Sequence, residues 1–305
     1  MQINKMKSYK QYKNGNASVS IWEDGTRIIE FEEDLQLAYP LNIDIRVSSK
    51  CPFGQKEDGS PGLCSFCHES AKVNGVECDY NKLKEKLAGL PKGIELAIGC
   101  NILSEGLIDF IEWCAREEND YIVNLTVNQG NIRQYAKKLL EMADNNLIKG
   151  LGVSYRRSLK WNVPEEIVSY KNTVFHVIAG IDEIEDVLEL PNKGVKKILI
   201  LGEKDFGFNV GKVDLQTEKH KHWKWYLRRL FDKFEVVSFD NLALEQVEPQ
   251  RFLSKSTFDT FNQGEHSLYI NAVDGYYAPS SRSRENTKWD TISLTDYFKQ
   301  LEERR

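Results

Sequence analysis

The residues best suited to chemistry in this chain are three clustered cysteines, Cys51, Cys64 and Cys67, spaced C-x12-C-x2-C. The stretch runs Cys51-Pro52-Phe53-Gly54, then Asp58-Gly59-Ser60-Pro61-Gly62, then Cys64-Ser65-Phe66-Cys67-His68. Three thiolates on one loop can ligate three irons of a [4Fe-4S] cluster and leave the fourth iron open. A closed structural zinc site needs a fourth protein ligand, either His68 or Cys78. Adjacent Cys67 and His68 cannot easily reach one tetrahedral ion together, whereas Cys78 could. Unligated cysteines packed as small apolar residues are a third reading, and it suits Cys114 within the amphipathic stretch 107–117. Cys78, Cys100 and Cys114 are scattered and form no second cluster motif.

The bulk composition narrows the class. A chain of 305 residues, 41% hydrophobic and 29% charged, is ordinary for a globular protein with a substantial core. No apolar run approaches the roughly 18 to 20 residues that span a bilayer. The stretch MQINKMKSYKQYKNG lacks the apolar segment of a signal peptide. The expected location is the cytoplasm, where six cysteines point to metal binding or catalysis rather than disulfides. A net charge of -5 argues against a general nucleic-acid footprint.

Something must hold those cysteines in place. From residue 41 onward, short apolar runs alternate with helical stretches, the pattern of a parallel sheet with crossover helices. Strands are expected near 41–48, 93–99, 121–128, 150–155, 173–180, 196–202 and 235–240. Helices are expected near 80–90, 105–118, 131–146, 163–170, 182–189 and 214–231. Before them, 18–22 and 27–31 flank Glu23-Asp24-Gly25-Thr26, a hairpin signal. A second hairpin-like stretch, 267–278, and a terminal helix, 294–303, follow. The simplest division is an N-terminal extension over 1–40, a barrel-like body over 41–245 and a C-terminal extension over 246–305.

Three of the strands repeat one design. Leu41, Ile43, Ile45 and Val47 share one face, and Asn42, Asp44 and Arg46 the other. Val123, Leu125 and Val127 alternate with Asn124, Thr126 and Asn128, and Leu151, Val153 and Tyr155 with Gly152, Ser154 and Arg156. A parallel sheet covered by helices on both faces should be apolar on both. A polar face therefore predicts a lumen holding water and a polar ligand toward the carboxyl ends of the strands. An antiparallel sheet with one solvated face is the alternative, disfavoured by the intervening helical stretches.

A three-cysteine loop directly after the first strand of such a barrel, with aromatic Phe66 before the last cysteine, resembles the radical S-adenosylmethionine (radical SAM) superfamily. The common motif of that superfamily has three residues between its first two cysteines. The twelve here resemble members with an expanded cluster loop. The likeness runs over about residues 41–240. It implies an α/β fold: a partial (β/α)6-type TIM barrel of parallel strands with small N- and C-terminal β/α additions. It also implies a [4Fe-4S] cluster on Cys51, Cys64 and Cys67, with S-adenosylmethionine (SAM) at the open iron and an external electron donor of flavodoxin or ferredoxin type. The activity implied is reductive cleavage of SAM followed by hydrogen abstraction from a substrate. That substrate is a small metabolite, a nucleotide-like molecule or a modified biopolymer.

The same resemblance implies roles for further residues. Gly99-Cys100-Asn101 occupies the place of the Gly-rich turn whose backbone binds the methionine amino group, although the usual second glycine and following glutamate are Cys and Asn here. Asn128, Ser154 and Arg156 match the polar groups that meet the ribose and carboxylate, for which the planar fork of arginine is well shaped. Ile178, within Val177-Ile178-Ala179-Gly180, matches the apolar contact to adenine. On the substrate side, Asp44, Arg46, Glu95 and Asn124 are the candidate contacts, because buried charges are costly unless paired or used. An ion pair of Asp44 and Arg46 with each other, or with Glu95, is the plainer reading.

Lys204 and Asp205 are placed at the barrel mouth, where loops carry function, and Ser238 and Asp240 end the last parallel strand. The basic and aromatic run from His220 to Arg229 either binds single-stranded nucleic acid or belongs to a helix packing Trp223 and Leu227, or Leu230 and Phe234, inward. The stretch 280–284 is a surface loop or a flap. A zinc-stabilised binding protein on a barrel scaffold is the competing class.

Overall fold

Residues 8–258 and 266–304 are described by the computed structural model. A small antiparallel sheet comes first, made of β1 (Ser8–Asn14), β2 (Ala17–Trp22) and β3 (Arg27–Glu30). β2 and β3 are the expected hairpin, turning at Gly25 with φ +91. β1 was not expected, although Asn14-Gly15 carries the same hairpin signal. Gly15 sits at φ +60, and a Cβ there would lie 1.8 Å from the Gln36 carbonyl oxygen, so no other residue fits.

The main sheet begins with β4 (Asn42–Arg46); β5 (Lys50–Gln55) stands outside it and carries Cys51. Then come β6 (Glu95–Cys100), β7 (Ile122–Asn128), β8 (Gly150–Ser154), β9 (Thr173–Ile178), β10 (Lys197–Leu201) and β11 (Val236–Phe239). These six and β4 run parallel, side by side in chain order. Each matches an expected strand to within about two residues. The crossovers carry α1 (Tyr80–Leu87), α2 (Glu105–Ala115), α3 (Gln129–Asp144), α4 (Glu165–Ser169), α5 (Ile184–Val187), α6 (Glu218–Tyr226) and α7 (Arg228–Lys233). The single helix expected over 214–231 is thus two, interrupted at Leu227. α8 (Asn241–Val247) and α9 (Lys255–Phe258) follow β11.

β12 (Ser267–Asn271) then pairs in parallel with β4, and β13 (Tyr276–Ala278) and β14 (Thr287–Lys288) extend that end antiparallel. The expected hairpin over 267–278 is present, but its first strand is a member of the main sheet. α10 (Leu294–Glu302) closes the described chain. No helix is long and apolar enough to cross a membrane among the described residues.

The outward side chains of the parallel strands, including Ile43, Ile45, Leu96, Ile98, Val123, Leu125, Val153 and Phe175, are buried with helix residues such as Leu83, Phe110 and Leu139. The polar side chains face the other way. Neighbouring strands sit about 4.8 Å apart, so on a flat sheet β4 and β11, six steps apart, would stand roughly 29 Å from each other. Lys204 Nζ, just past β10, nevertheless lies 3.3 Å from His68 Nε2, and the adjoining Glu69 pairs with Arg46 of β4 at 2.7 Å. The sheet is therefore strongly curled, with its polar face inside. It is not closed into a ring by backbone pairing among the described residues.

The first sheet covers the amino ends of these strands. Arg27 of β3 pairs with Glu95, the first residue of β6, and the Asn124 amide donates to Glu95 Oε1 at 3.3 Å. Lys10 pairs with Asp120, and the Lys149 ammonium lies 3.6 Å from the centre of the Tyr9 ring. Removing Arg27 leaves a half-buried Glu95 without its cation. Arg27→Ala should lower the unfolding free energy in urea by about 2 kcal/mol; no measurable loss would show that the floor is not pinned there.

Candidate functional site

The cysteine stretch is folded tightly onto itself. Leu63 N–H donates to the Phe53 carbonyl, Lys56 N–H to that of Ser60 and Cys67 N–H to that of Cys64, each at 3.0 Å. A Cβ on Gly62 would lie 2.2 Å from the Phe53 carbonyl oxygen, so only glycine lets the two arms of the loop touch. All three thiols are free. Burial pushes Cys51 up to about 11, and Cys67 and Cys64 add to the repulsion, so the three sense one another. Backbone N–H groups of Phe53 and Gly54 oppose this at Cys51, and those of Glu69 and Ala71 do so at Cys67. A free thiolate is costly in this setting; a metal-bound thiolate accepting N–H donors is the state the shell suits.

Among the described residues no fourth ligand for zinc is brought to these cysteines. Cys78 is buried and pushed up to about 12, with Glu77 and Asp79 as the charges acting on it. His68 Nε2 faces Glu69 and Lys204, at 3.2 and 3.3 Å. Among the described residues no three His, Cys, Asp or Glu side chains, Cys51, Cys64 and Cys67 included, are placed to hold one metal ion; a [4Fe-4S] cluster would ask each thiolate for a different iron.

The register places Asp44, Gly99, Thr126, Asn128, Gly152, Ser154, His176, Ile178 and Leu201 on the inner face. Gly99 is open to solvent, and a side chain there would meet nothing within 4 Å. The Cys100 side chain points the opposite way, 2% exposed in the core, so Gly99 and Cys100 can offer a ligand only their backbone. The Asn101 carbonyl accepts from Asn131 Nδ2 at 2.7 Å. Asn128 is committed as the N-cap of α3, its Oδ1 accepting from Gly130 N–H at 2.8 Å.

Four of the expected substrate contacts separate in space. Glu95 and Asn124 lie at the amino ends, away from the carboxyl-end site, Glu95 being bound by both Arg27 and Asn124. Arg46 pairs neither with Asp44 nor with Glu95. Its Nε lies 2.7 Å from Glu69 Oε2, its Nη2 donates to the Glu69 carbonyl at 2.6 Å and its Nη1 lies 3.3 Å from Asp274. Of the four, Asp44 faces inward with no hydrogen-bond or ion-pair partner among the described residues. The solvent around it is walled by protein, so desolvation raises its carboxyl above the ordinary range, Lys204 opposing and Asp240 adding.

Arg156 is the best-prepared cation. Its guanidinium carbon lies 5.0 Å from the centre of the Phe66 ring and its Nη1 is 3.7 Å from Asp182. Its Nε is buried without a hydrogen-bond partner. Burial pushes Asp182 up to about 6 against the pull of Arg156 and of the Ile178 N–H, which donates to it at 2.7 Å. Phe66, His68, Ile178, Leu201 and Lys204 line one narrow cleft. Phe66, Arg156 and Ile178 are thus brought together beside the cysteine loop. The Phe208 N–H donates to the Cys67 carbonyl at 3.0 Å, tying the loop after β10 to that loop. Lys204 Nζ reaches Ser281 Oγ at 2.9 Å.

Thr126 lies on the expected polar face, on the substrate side, whereas His176 beside it is not among the expected residues. Thr126 Oγ1 and His176 Nε2 lie 2.5 and 2.8 Å from where a Gly152 Cβ would stand, so the two converge over a glycine. The alternation of Val174, His176 and Ile178 with Thr173, Phe175 and Val177 carried this signal. The run 220–229 packs as a helix pair: Trp223, Leu227 and Leu230 are fully buried, and Trp223 Nε1 donates to the Asp182 carbonyl at 2.8 Å.

No protein-family model matches the sequence, and no curated protein matches it significantly. Solved structures do match. Streptococcus suis SuiB superposes at a TM-score of 0.58 with 11% identity, over 98% of this chain and 88% of that one. SuiB bound to S-adenosylmethionine gives 0.58 at 12% identity, over 95% and 88%. SuiB bound to the precursor peptide SuiA gives 0.55 at 14% identity, and there the match covers 86% of this chain and only 65% of that one. The chain shares the fold of SuiB. That likeness is of architecture, a mixed α/β fold around a large, mainly parallel sheet.

Burial and the Arg156 charge push His176 down to about 4, below its ordinary 6.5. It should stay neutral on NMR titration until near pH 4. Because the unfolded chain binds that proton more readily, His176 favours folding fully above about pH 6.5 and loses that contribution as pH falls toward 4. Titration above pH 6 would contradict this.

Proposed function

We propose that this chain is a radical SAM enzyme on a partial barrel, with Cys51, Cys64 and Cys67 holding a [4Fe-4S] cluster and SAM lying over the carboxyl ends of the strands. The observation that carries the reading is the meeting of three mutually repelling, N–H-bonded thiols with a cleft lined by Phe66 and Ile178, whose Phe66 ring also carries the Arg156 guanidinium. The SAM-bound state of a protein sharing the fold supports it. A cluster held by Cys51, Cys64 and Cys67 would supply the electron for reductive cleavage of SAM. The protein's own part is to bind and orient. Arg156, braced by Asp182 and stacked on Phe66, presents a fork to the SAM carboxylate. Gly99 lets a ligand approach the backbone, Ser154 offers a hydroxyl to the ribose, and Ile178 and Leu201 offer the adenine an apolar wall.

Asp44, Thr126 and His176 remain facing the substrate side. A substrate seated there is offered a carboxylate, a hydroxyl and a neutral imidazole. The substrate classes are a small metabolite, a nucleotide-like molecule or a biopolymer; the peptide held by SuiB in one of its structures adds weight to the last. The electron donor would be an external flavodoxin or ferredoxin type protein, and the setting the cytoplasm.

Anaerobic reconstitution should give a brown protein with about four irons and four sulfides per chain. Its reduced EPR signal should shift when SAM is added, and replacing any of the three cysteines with alanine should abolish it. A colourless protein retaining one zinc would overturn the assignment. Arg156→Ala should weaken SAM binding by at least about tenfold at unchanged iron content; unchanged affinity would move the SAM site elsewhere.

A further inference from the structure

The curled sheet stops short of closing. Among the described residues its terminal strands, β11 at one end and β14 at the other, share no backbone hydrogen bonds. Side chains cross the gap instead. The link between β13 and β14 carries residues 279–286, and its first half reaches over to the far end of the sheet. Ser281 Oγ accepts from Lys204, which follows β10, at 2.9 Å. The Arg282 fork meets both carboxylate oxygens of Glu245 on α8, at 3.3 and 3.5 Å. The Arg282 charge is also felt by Asp240, the N-cap of α8 just past the last parallel strand.

The segment has its own shape. Ser283 N–H donates to the Ser280 carbonyl at 3.1 Å and Arg282 N–H to Ser280 Oγ at 3.2 Å, forming one tight turn that presents Ser281 and Arg282 together. Its fastenings are weak. The Arg282 and Glu245 side chains are 34% and 62% exposed, and exposed ion pairs contribute little. Among the described residues every other junction in the sheet is a backbone ladder, whereas this one is made by the Lys204–Ser281 and Arg282–Glu245 side-chain contacts.

We propose that residues 279–284 are a strap across the lateral opening of the curled sheet, and that its release widens the route to the inner face. The proposal rests on the function proposed above only in naming what enters. Hydrogen exchange on the full chain tests the clasp. Arg282→Ala and Glu245→Ala should each speed exchange of peptides covering 279–286 by up to about fivefold, leaving core peptides unchanged. The swapped pair Arg282→Glu with Glu245→Arg should restore protection. In the reconstituted protein, Arg282→Ala should also speed SAM association at unchanged cluster content. Unchanged exchange, or faster exchange without faster SAM association, overturns the strap alone. A wild-type protein that binds no SAM removes the strap's role together with the proposed function.

Discussion

A parallel sheet with one polar face has nowhere to put that face except inside itself. Helices cover the outer side, where Ile43, Leu96, Leu125 and Phe175 are buried, and the inner side carries Asp44, Thr126, Ser154 and His176. Curling gathers residues from strands six places apart into one electrostatic environment, in which Asp44, Lys204 and Asp240 act on one another. Every other feature of the molecule follows from that requirement. The first sheet covers the amino ends, the cysteine loop lies at the carboxyl ends, and the gap left between the sheet's ends is spanned by side chains.

The cysteine loop and the inner face are two halves of one site, and neither is complete alone. The loop supplies three thiols and the Phe66 ring, and the strands supply Arg156, Ile178 and the open backbone at Gly99. Arg156 is oriented from several sides: Asp182, the Tyr155 carbonyl and the Phe66 ring hold its head, and Gln129 Oε1 accepts from its backbone N–H at 3.2 Å. A guanidinium held this way loses little freedom on meeting a carboxylate, which is the physical sense of preorganisation.

The strands were legible because period-two alternation is a local property, and the inner face could be read from the same pattern. What could not be read is anything that depends on distant partners. Asp44 and Arg46 share a face, yet Arg46 leans away to Glu69 on the cysteine stretch and to Asp274 beyond β12. Glu95 has the right alternation for a ligand contact but stands at the wrong end of its strand, where Arg27 from 68 residues earlier claims it. Cys100 lies in the expected turn with its side chain in the core, because the pleat that opens Gly99 turns its neighbour outward. Asn128 is taken by a helix cap, a use that its position ahead of α3 announces once the helix start is known.

β4 has a partner on each side, and the two arrive at very different times. β6 follows it within about fifty residues, but β12 is not made until residue 267, after the rest of the parallel sheet. Until then one edge of β4, the strand just ahead of the cysteine stretch, has an unmatched row of backbone donors and acceptors, the feature that invites pairing with other chains. Late synthesis of β12 makes it the covering of that edge. A chain stalled or cut before β12 would keep all seven strands of the parallel array and still present a sticky border.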